Sequence, residues 1–507
     1  MLTCNFDNSF AQQLLPHSLG TACQPEQASE PRLVYLNETL AHDLGLLSKQ
    51  SASQQRELIA EYLSGNRPID GASPIAQAYA GHQFGQFNPQ LGDGRALILG
   101  EHVTAQGNRI DICLKGSGRT PYSRGGDGKA GIGPMLREVL IAEAMHALGI
   151  PTTRSLAVVS TGDLVFRNQA SAGAVLTRLA SSHIRIGTFE FLAARRQTED
   201  LRALADYTIA RHHPDLLERQ DRYQALLRKT IDIQAHTIAK WMGVGFIHGV
   251  MNTDNMLISG ETIDYGPCAF MDSYSTRAVF SSIDHGSRYA YGNQAAIAQW
   301  NLTRFAETLL PLIQQETTSS HEAAIEIASE QLRAFEQQYK NQWLAVFRAK
   351  LGFSKDQSSD NDARVEADIA LINQYLNILE STKSDFTNSF RLLSSAIDGE
   401  PQSVDAQFLQ TAPAQDWLEN WRASLKNSGQ DSAEISQSMN QINPAVIPRN
   451  QLVEIALDAA ENQGDTSLFE SLLAEITDPY RERDADDPIT KPGSASFYRS
   501  FQTFCGT

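Results

Sequence analysis

The sequence predicts an α+β protein with a smaller β-rich part and a larger helical part. Strand patterns, with one helix among them, fill residues 81–186. From about residue 187 onward, apolar residues recur mainly at the helical period. The 507 residues are 41% hydrophobic, which is ordinary for a globular chain with a sizeable core. Because strands and helices are segregated along the chain, an α+β arrangement is expected.

The strands of the β-rich part follow a mixed segment, residues 1–80, in which a helix is expected at residues 53–64. Apolar and polar residues alternate over residues 109–114, so Lys115 should end a strand on the face opposite the apolar one. Strands are predicted at residues 95–101, 109–114, 155–160, 164–167 and 174–179. A glycine-rich loop at residues 116–133 separates the second strand from the next helix.

Helices are predicted from start and stop signals and from apolar periodicity. Pro134 suits the first position of a helix that Gly149 ends and that carries Glu138 in its first turn. A second periodic run, residues 226–241, should end at Gly243 and Gly245. Further helices are predicted at residues 294–315, 321–350, 365–381, 449–463 and 466–476, with exposed loops at residues 354–362 and 427–436.

This order of elements predicts four segments. Residues 1–80 form an N-terminal extension, and residues 81–186 form the β-rich unit. Residues 187–400 form the helical unit, and residues 401–507 form a C-terminal helical extension and tail.

The bulk composition narrows the classes of partner. A formal net charge of −17 repels nucleic acid and anionic lipid, so neither is expected as a partner. Apolar runs stay shorter than the ~18 residues of a membrane span, and the N-terminus lacks the pattern of a secretory signal. Five cysteines in a chain this long argue against a disulfide framework. A cytoplasmic protein is therefore expected, and the predicted oligomeric state is a monomer.

The most informative pattern is His-Gly-Val-Met-Asn-Thr-Asp-Asn at residues 248–255, followed by Asp264-Tyr-Gly. Asn255 and Asp264 offer oxygen ligands for a hard cation, and Asp254 could take a proton from an incoming hydroxyl. Strand-like residues 256–258 and 262–263 indicate a hairpin that would bring these side chains together. The alternative is a cluster of Asx turns in which the side chains bond their own backbone.

Basic residues and glycines supply a second set of candidates. Lys115 at a strand end and Glu138 on the next helix can form an ion pair that aims the ammonium group at phosphate. Arg178 and Arg185 lie where the two parts meet and could clamp phosphates. For each of these the open alternatives are a solvated side chain, an ordinary salt bridge or a flexible surface loop. His248 is expected to be structural, because no second His or Cys stands at zinc spacing.

Read together, these motifs resemble the selenoprotein O family, which is the YdiU family of bacteria. The resemblance rests on Gly-His-Gln-Phe-Gly-Gln-Phe at 81–87, Gln-Leu-Gly-Asp-Gly-Arg-Ala at 90–96 and Leu-Lys-Gly-Ser-Gly-Arg-Thr-Pro-Tyr-Ser-Arg at 114–124. Arg137-Glu138, residues 248–255 and Thr-Ile-Asp-Tyr-Gly-Pro at 262–267 extend it, and weaker matches follow at 443–450 and 505–506. Motifs this long and ordered are highly specific.

The resemblance implies a protein-kinase-like, two-lobed fold and a protein adenylyltransferase that moves AMP from ATP to Ser, Thr or Tyr hydroxyls. It implies Mg²⁺, with Mn²⁺ as an alternative, and an ATP molecule flipped relative to that of ordinary kinases. Asp254 would be the proton acceptor, Asn255 and Asp264 would hold the metal, and Glu138 would pair with Lys115. The residues expected to contact ATP are Gly92, Gly94, Arg95, Lys115, Asp127, Gly128, Arg178, Arg185 and Asp264.

Two departures from known patterns bear on this hypothesis. An ordinary kinase carries Arg-Asp after the histidine of its catalytic loop, whereas Gly249 and Val250 stand here. Many family members carry a cysteine after Asp-Tyr-Gly that can pair with the C-terminal Cys or selenocysteine; Phe280 takes that position, so an internal disulfide of Cys505 is in doubt. A nucleotide-binding pseudokinase scaffold and an ordinary protein kinase are the alternative functions.

Overall fold

The computed structural model describes residues 2–47, 55–167, 169–317, 320–353, 362–399, 404–427, 429–484 and 487–504. It is a mixed α and β structure built around one antiparallel sheet. The strands are β1 Gly20–Ala22, β2 Arg32–Leu36, β3 Ile75–Gln77, β4 Gly81–Gln83, β5 Gln86–Asn88, β6 Ala96–Val103, β7 Arg109–Lys115, β8 Ala130–Gly131, β9 Arg154–Phe166, β10 Ala170–Ala180, β11 Phe246–Ile247 and β12 Ala269–Phe270.

Helices dominate from residue 186 onward and also flank the sheet. The helices are α1 Ser9–Leu14, α2 Glu38–Asp43, α3 Arg56–Ser64, α4 Ile132–Ala147, α5 Ile186–Ala194, α6 Thr198–His212, α7 Arg222–Val244, α8 Gln294–Thr317, α9 His321–Lys350, α10 Asp362–Thr382, α11 Phe386–Leu392, α12 Ala412–Lys426, α13 Ser432–Ile442, α14 Asn450–Gln463, α15 Ser467–Ile476 and α16 Ala495–Tyr498. Within the described ranges, no helix combines the length and the apolar character needed to cross a membrane.

The main sheet has the strand order β1-β3-β6-β7-β10-β9-β2, and β8 pairs with β10. The predicted strands at 155–160 and 164–167 are one strand, β9, because Gly162 adopts a positive φ of 78° and forms a bulge where the pairing with β10 shifts register. Helix α4 packs on β9 and β10, and α14 and α15 cover α4 in turn. The segment before β3 therefore contributes two strands to the sheet, and the C-terminal helices help to cover it.

Long periodic segments fold as predicted. The predicted helices at 294–315, 321–350, 365–381, 449–463 and 466–476 correspond to α8, α9, α10, α14 and α15. Ser320 caps the start of helix α9, and its side chain accepts a hydrogen bond from the amide of Ala323. Helix α7 ends at Gly245 in the left-handed conformation, but Gly243 lies inside the helix. A Cβ on Gly243 would lie 2.5 Å from Val346, so this glycine lets α7 and α9 pack closely.

Several local predictions are wrong. Helix α4 begins at Ile132, so Pro134 is its third residue rather than its first; the amide of Gly133 is satisfied by the Glu461 carboxylate of α14. The predicted hairpin at 256–263 does not form, because Leu257 bridges Arg185 and Thr262 bridges Thr152. These two segments pair with distant parts of the chain instead of with each other.

The predicted exposed loop at 427–436 is also wrong in part. Helix α13 starts at Ser432, where the Asp431 side chain accepts hydrogen bonds from two first-turn amides, and it buries Ile435 and Met439. Residues 354–361 of the other predicted loop, residues 53–54 of the first predicted helix and Cys505 lie outside the described residues.

Candidate active site

A cleft of about 450 Å³ opens where strands β6, β7 and β10 meet the loops at residues 250–266. Every residue that the sequence singled out for the site lines this cleft. They are Gly92, Gly94, Arg95, Lys115, Asp127, Gly128, Glu138, Arg178, Arg185, Asp254, Asn255 and Asp264. Residues that are up to 172 positions apart in the sequence (Gly92 to Asp264) therefore line the same cleft.

Strand register places the two cations at the back of the cleft. Lys115 of β7 pairs with Leu176 of β10, and Arg178 follows two residues later on the same face of the strand. The Lys115 ammonium contacts Glu138 of α4 and donates to Asp264 Oδ1 at 2.5 Å. Arg178 Nη1 donates to the same oxygen at 2.9 Å. Both cations are buried, so they are fixed on Asp264 rather than spread over the surface.

The charge state of Asp264 follows from these neighbours. Burial alone would raise the pKa of its carboxyl group, but Lys115, Arg178 and Arg185 hold that pKa well below its usual range. Asp264 also has a φ of 63°, which is uncommon for a residue other than glycine. The chain thus holds an ionised carboxylate in a strained backbone conformation, a combination that is concentrated at functional sites.

Arg185 connects the two acidic loops of the site. It precedes α5, and its Nη1 donates to the backbone carbonyl of Asp254 at 2.9 Å. The same nitrogen lies 3.9 Å from Asp264 Oδ2, and Nη2 lies 3.5 Å from Asp93 Oδ1. Its guanidinium carbon lies 4.4 Å from the centre of the Tyr79 ring. Arg185 is therefore held by stacking and by charge at a fixed position beside both acids.

Asp254 differs from Asp264 in the direction of its pKa shift, and the neighbouring Asn255 is uncharged. Asp254 is 7% exposed, and burial raises the pKa of its carboxyl group to about 6. Its Oδ2 accepts a hydrogen bond from Gln83 Nε2 at 3.1 Å, while Oδ1 has no hydrogen-bond partner among the described residues. Asn255 Nδ2 donates to the Val250 carbonyl at 3.0 Å, which fixes the orientation of the amide.

The Asp264 loop is anchored by neighbours on both sides. The amide of Thr262 donates to the Pro151 carbonyl at 2.9 Å, and the Tyr265 hydroxyl contacts Thr152. His248 Nε2 lies 3.0 Å from the Ile263 carbonyl, and burial lowers the pKa of this imidazole to about 4. The neutral, buried His248 ties the two motif segments together, as expected of a structural histidine.

Residues of the glycine-rich loop line part of the cleft. A Cβ on Gly92 would lie 2.6 Å from the Tyr122 ring, and one on Gly128 would lie 1.9 Å from the Gly118 carbonyl, so neither position can carry a side chain. Asp127 is bound by both Nη atoms of Arg167 at 2.8 and 2.9 Å, and this hydrogen bonding lowers the pKa of Asp127 to about 2. The loop thus brings ionised groups and backbone amides close to the cavity.

Basic residues outnumber acidic ones on the wall of the cleft, although the chain as a whole carries a net charge of −17. The basic residues are Arg95, Lys115, Arg124, Lys129, Arg167, Arg178 and Arg185, and the acidic ones are Asp93, Asp127, Glu138, Asp254 and Asp264. A cleft of this charge attracts anions locally, in contrast to the rest of the surface.

Some lining residues were not assigned from the sequence. Asp93 is 3% exposed and faces Arg185, Gln83 contacts Asp254, and Asn252 accepts a hydrogen bond from the amide of Phe84. Asp93 lies between two assigned glycines, and Gln83 lies in the Gly-His-Gln-Phe-Gly motif, so a motif signal existed for both. Nothing in the spacing of Asn252 separates it from an ordinary loop residue.

Comparison with known proteins identifies the family. The family model described as protein adenylyltransferase SelO matches residues 1–477. The chain belongs to the SelO family. It is 52% identical over 504 residues to protein nucleotidyltransferase YdiU of Brevibacillus brevis, which covers 99% of this chain and 98% of the relative. The corresponding proteins of Alkaliphilus metalliredigens and Rhizobium rhizogenes are 51% and 48% identical over 505 residues, with 99% of this chain and 98% and 97% of the relatives covered.

These matches confirm the predicted family and, at the level of the family, the predicted nucleotidyltransferase. The SelO match and the YdiU relatives both span most of the chain, so they include the cleft and all of the motifs that line it.

Proposed function

We propose that this SelO-family nucleotidyltransferase transfers AMP from ATP to Ser, Thr or Tyr hydroxyls of proteins. One observation carries the proposal: three buried cations, Lys115, Arg178 and Arg185, converge on the ionised Asp264 beside a second, nearly buried acid, Asp254. The cations suit a bound triphosphate, and the second acid suits a hydroxyl that must lose its proton.

The proposed fold is that of a two-lobed, protein-kinase-like enzyme. Residues 81–186 would form the N-lobe and residues 187–400 the C-lobe, with residues 1–80 and 401–507 as extensions. In support, the sheet and α4 fill the first segment, helices dominate the second, and the cleft has walls from both. Strands β1, β2 and β3 of residues 1–80 extend the sheet, and α14 packs on α4, as expected of extensions that cover a lobe.

Mg²⁺, with Mn²⁺ as an alternative, is proposed to bind Asn255 and Asp264. Asp264 Oδ1 accepts hydrogen bonds from Lys115 and Arg178, whereas among the described residues the ion-pair partner of Oδ2 is Arg185 Nη1 at 3.9 Å. The amide nitrogen of Asn255 is fixed on the Val250 carbonyl, which leaves the amide oxygen for a cation. Among the described residues, no group of three or more His, Cys, Asp or Glu is arranged to hold a metal. A site with few protein ligands fits Mg²⁺, which takes the rest from phosphate and water and supplies positive charge to the triphosphate.

Asp254 is proposed to accept the proton of the attacking hydroxyl. Its free Oδ1 and its raised pKa, about 6, suit a base that works near neutral pH. The hydroxyl oxygen would form a bond to the α-phosphorus while the bond from that phosphorus to the bridging oxygen of the β-phosphate breaks. Arg178 and Arg185 would then hold the departing pyrophosphate, and the proton would pass to Asp254.

An ordinary protein kinase shares the Lys115–Glu138 pair and the position of Asp264, so it is the second candidate. Gly249 argues against it. This residue has a φ of 83°, and a Cβ would lie 2.3 Å from the Pro267 carbonyl, so a kinase-type Arg cannot occupy the position without moving the loop. Val250 stands where a kinase has its catalytic Asp, which leaves Asp254 as the acid next to the metal ligand. A nucleotide-binding scaffold is the third candidate.

Two parallel incubations with cell lysate separate these candidates. One uses ATP labelled at the α-phosphorus and the other uses ATP labelled at the γ-phosphorus. AMP transfer predicts protein label from the α position alone, a kinase predicts label from the γ position alone, and a scaffold predicts neither. The cytoplasmic location and the monomeric state stay predictions from the sequence.

A further inference from the structure

Arg288 lies one contact beyond the residues that touch Asp254. The turn between β4 and β5 makes the connection: Gln83 donates to Asp254, and the amide of Phe84 donates to the Tyr289 hydroxyl at 3.1 Å. A Cβ on Gly85, the next residue of this turn, would lie 3.5 Å from the Arg288 guanidinium carbon. The guanidinium group therefore packs under the turn that covers the proposed base.

The side chain of Arg288 is held by aromatic rings and not by an acid. Its guanidinium carbon lies 4.8 Å from the centre of the Trp300 ring and 5.8 Å from that of Tyr289. Asp284 is near in sequence, but its carboxylate accepts the backbone amides of Arg288 and Tyr289 at 2.9 and 2.8 Å. Among the described residues, no carboxylate lies within ion-pair distance of the Arg288 guanidinium group.

Arg304 provides an internal comparison. Its guanidinium carbon lies 5.2 Å from the centre of the same Trp300 ring, so two guanidinium groups lie near one indole. Arg304, however, forms an ion pair with Glu307 at 2.8 Å. The two arginines share an aromatic partner and differ in whether a carboxylate neutralises them.

We propose that Arg288 selects acceptor proteins that carry Asp or Glu close to the modified hydroxyl. This inference rests on the proposed AMP transfer, because a hydroxyl that reaches Asp254 must bring its neighbours past the β4–β5 turn. Ile283 lines the same cleft and is 47% exposed, so it offers an apolar contact to the acceptor chain. A guanidinium group that is already oriented by stacking loses little freedom when it binds a carboxylate.

The local charge makes this selection specific. The net charge of −17 repels an acidic protein at a distance, so binding of an acidic segment requires a cation at the contact itself. We expect one charge-assisted hydrogen bond at Arg288 to change kcat/KM by roughly tenfold. Arg304 is already paired and should contribute much less to selection.

The test maps AMP-modified peptides by mass spectrometry after the full-length enzyme acts on a lysate with ATP. For wild type we expect Asp and Glu to be enriched within four residues of the modified hydroxyl. Arg288→Gln should lower modification of such sites roughly tenfold, by the loss of one charge-assisted hydrogen bond. Arg288→Glu should shift the preference to sites flanked by Lys or Arg. ATP affinity, measured by calorimetry, should stay within about twofold of wild type in both variants because Arg288 lies outside the cleft wall.

Arg304→Gln is the matched control and should keep the acidic preference. An equal loss of preference in the Arg288 and Arg304 variants would overturn the assignment to Arg288. Modified sites without acidic neighbours in wild type would overturn the inference and leave AMP transfer standing. A wild-type sample that carries no AMP on any protein would overturn the proposed function, and this inference would fall with it.

Discussion

Two buried charge clusters in this molecule are built from similar side chains and differ in their balance. In the cleft, Lys115, Arg178 and Arg185 approach Asp264, and the wall as a whole carries more basic than acidic residues. The Asp264 side chain is 24% exposed, so the cluster opens to solvent.

The second cluster surrounds Arg449, and there the acids are in excess. Arg449 Nη1 lies 2.6 Å from both Asp272 and Asp385, whose side chains are 4% and 7% exposed. The Tyr498 hydroxyl and the amide of Gly493 donate to Asp272 at 2.7 Å each, so the C-terminal segment closes the cluster. Burial raises the pKa of Asp385, although Arg449 lowers it in part.

The comparison shows what distinguishes a ligand site from a structural ion cluster. Arg449 is 1% exposed and pairs with two protein acids, so its charge is neutralised inside the fold. The cleft wall carries more basic than acidic residues around a cavity of about 450 Å³. Changes in the first cluster should therefore affect activity, and changes in the second should affect stability.

The largest expected effect is the loss of activity in Asp264→Ala. The proposed cation loses its carboxylate, and Lys115 and Arg178 lose the group that fixes their position. We expect transfer of label from α-labelled ATP to fall at least about thousandfold. Circular dichroism should show an unchanged fold. Labelling at the wild-type rate would refute the site assignment.

Asp254→Ala should have the next largest effect and should act on chemistry rather than on binding. Loss of a positioned general base lowers kcat by about 10²–10⁴. ATP affinity should change less than about threefold, because the hydrogen bond from Arg185 goes to the backbone carbonyl of Asp254, which the substitution keeps. Rapid-quench labelling and calorimetry measure the two quantities separately. A large loss of ATP affinity with normal turnover would contradict the role of base.

Arg449→Met tests the structural cluster. It leaves Asp272 and Asp385 buried without their cation, which should cost about 3–5 kcal/mol of unfolding free energy, while the folded fraction keeps its transfer rate. Urea unfolding followed by fluorescence gives the first quantity. Arg481→Met is the control: its ion pair with Glu475 involves a side chain that is 53% exposed, so we expect a change below about 1 kcal/mol. Equal urea midpoints for Arg449→Met and Arg481→Met would contradict the structural role of the Arg449 cluster.

The sequence predicted the composition of the cleft better than the path of the chain around it. Motif residues such as Lys115 and Asp264 could be assigned because their chemistry is specific and their order matches a known family. The hairpin expected between Asn255 and Asp264 failed for a physical reason. The sequence of a short apolar segment does not determine which segment it pairs with, and Leu257 pairs with Arg185 instead.

The helices show the same limit. Helices α8 and α9 are long and periodic, and both were predicted within two residues at each end. Helix α13 was missed because it is rich in Ser, Gln and Asn, and its stability comes from the Asp431 cap and from burial of Ile435 and Met439. Phe280 packs near Tyr498 and Phe501 of the C-terminal segment. No pattern of residues in the sequence predicted that contact.

Lys350 gives the smallest predicted effect and the strictest test of the charge argument, because it is a buried cation without an acid. Its ammonium group lies 4.3 Å from the centre of the Phe390 ring, and burial lowers its pKa from 10.5 to about 7. Among the described residues, no carboxylate lies within ion-pair distance of this group. Between pH 7 and 10 the unfolded chain therefore binds more protons than the folded one, so stability should rise with pH.

Lys350→Met removes this proton linkage. Relative to the variant, wild type should gain roughly 1 kcal/mol of unfolding free energy per pH unit, or about 2 kcal/mol between pH 7 and 9. Below pH 7 the lysine is protonated in both states, and the difference should become constant. Urea midpoints of the two proteins across this range give the slope, and other titrating groups cancel in the difference. Parallel curves would mean that folding does not lower the pKa of Lys350, and they would contradict the charge argument.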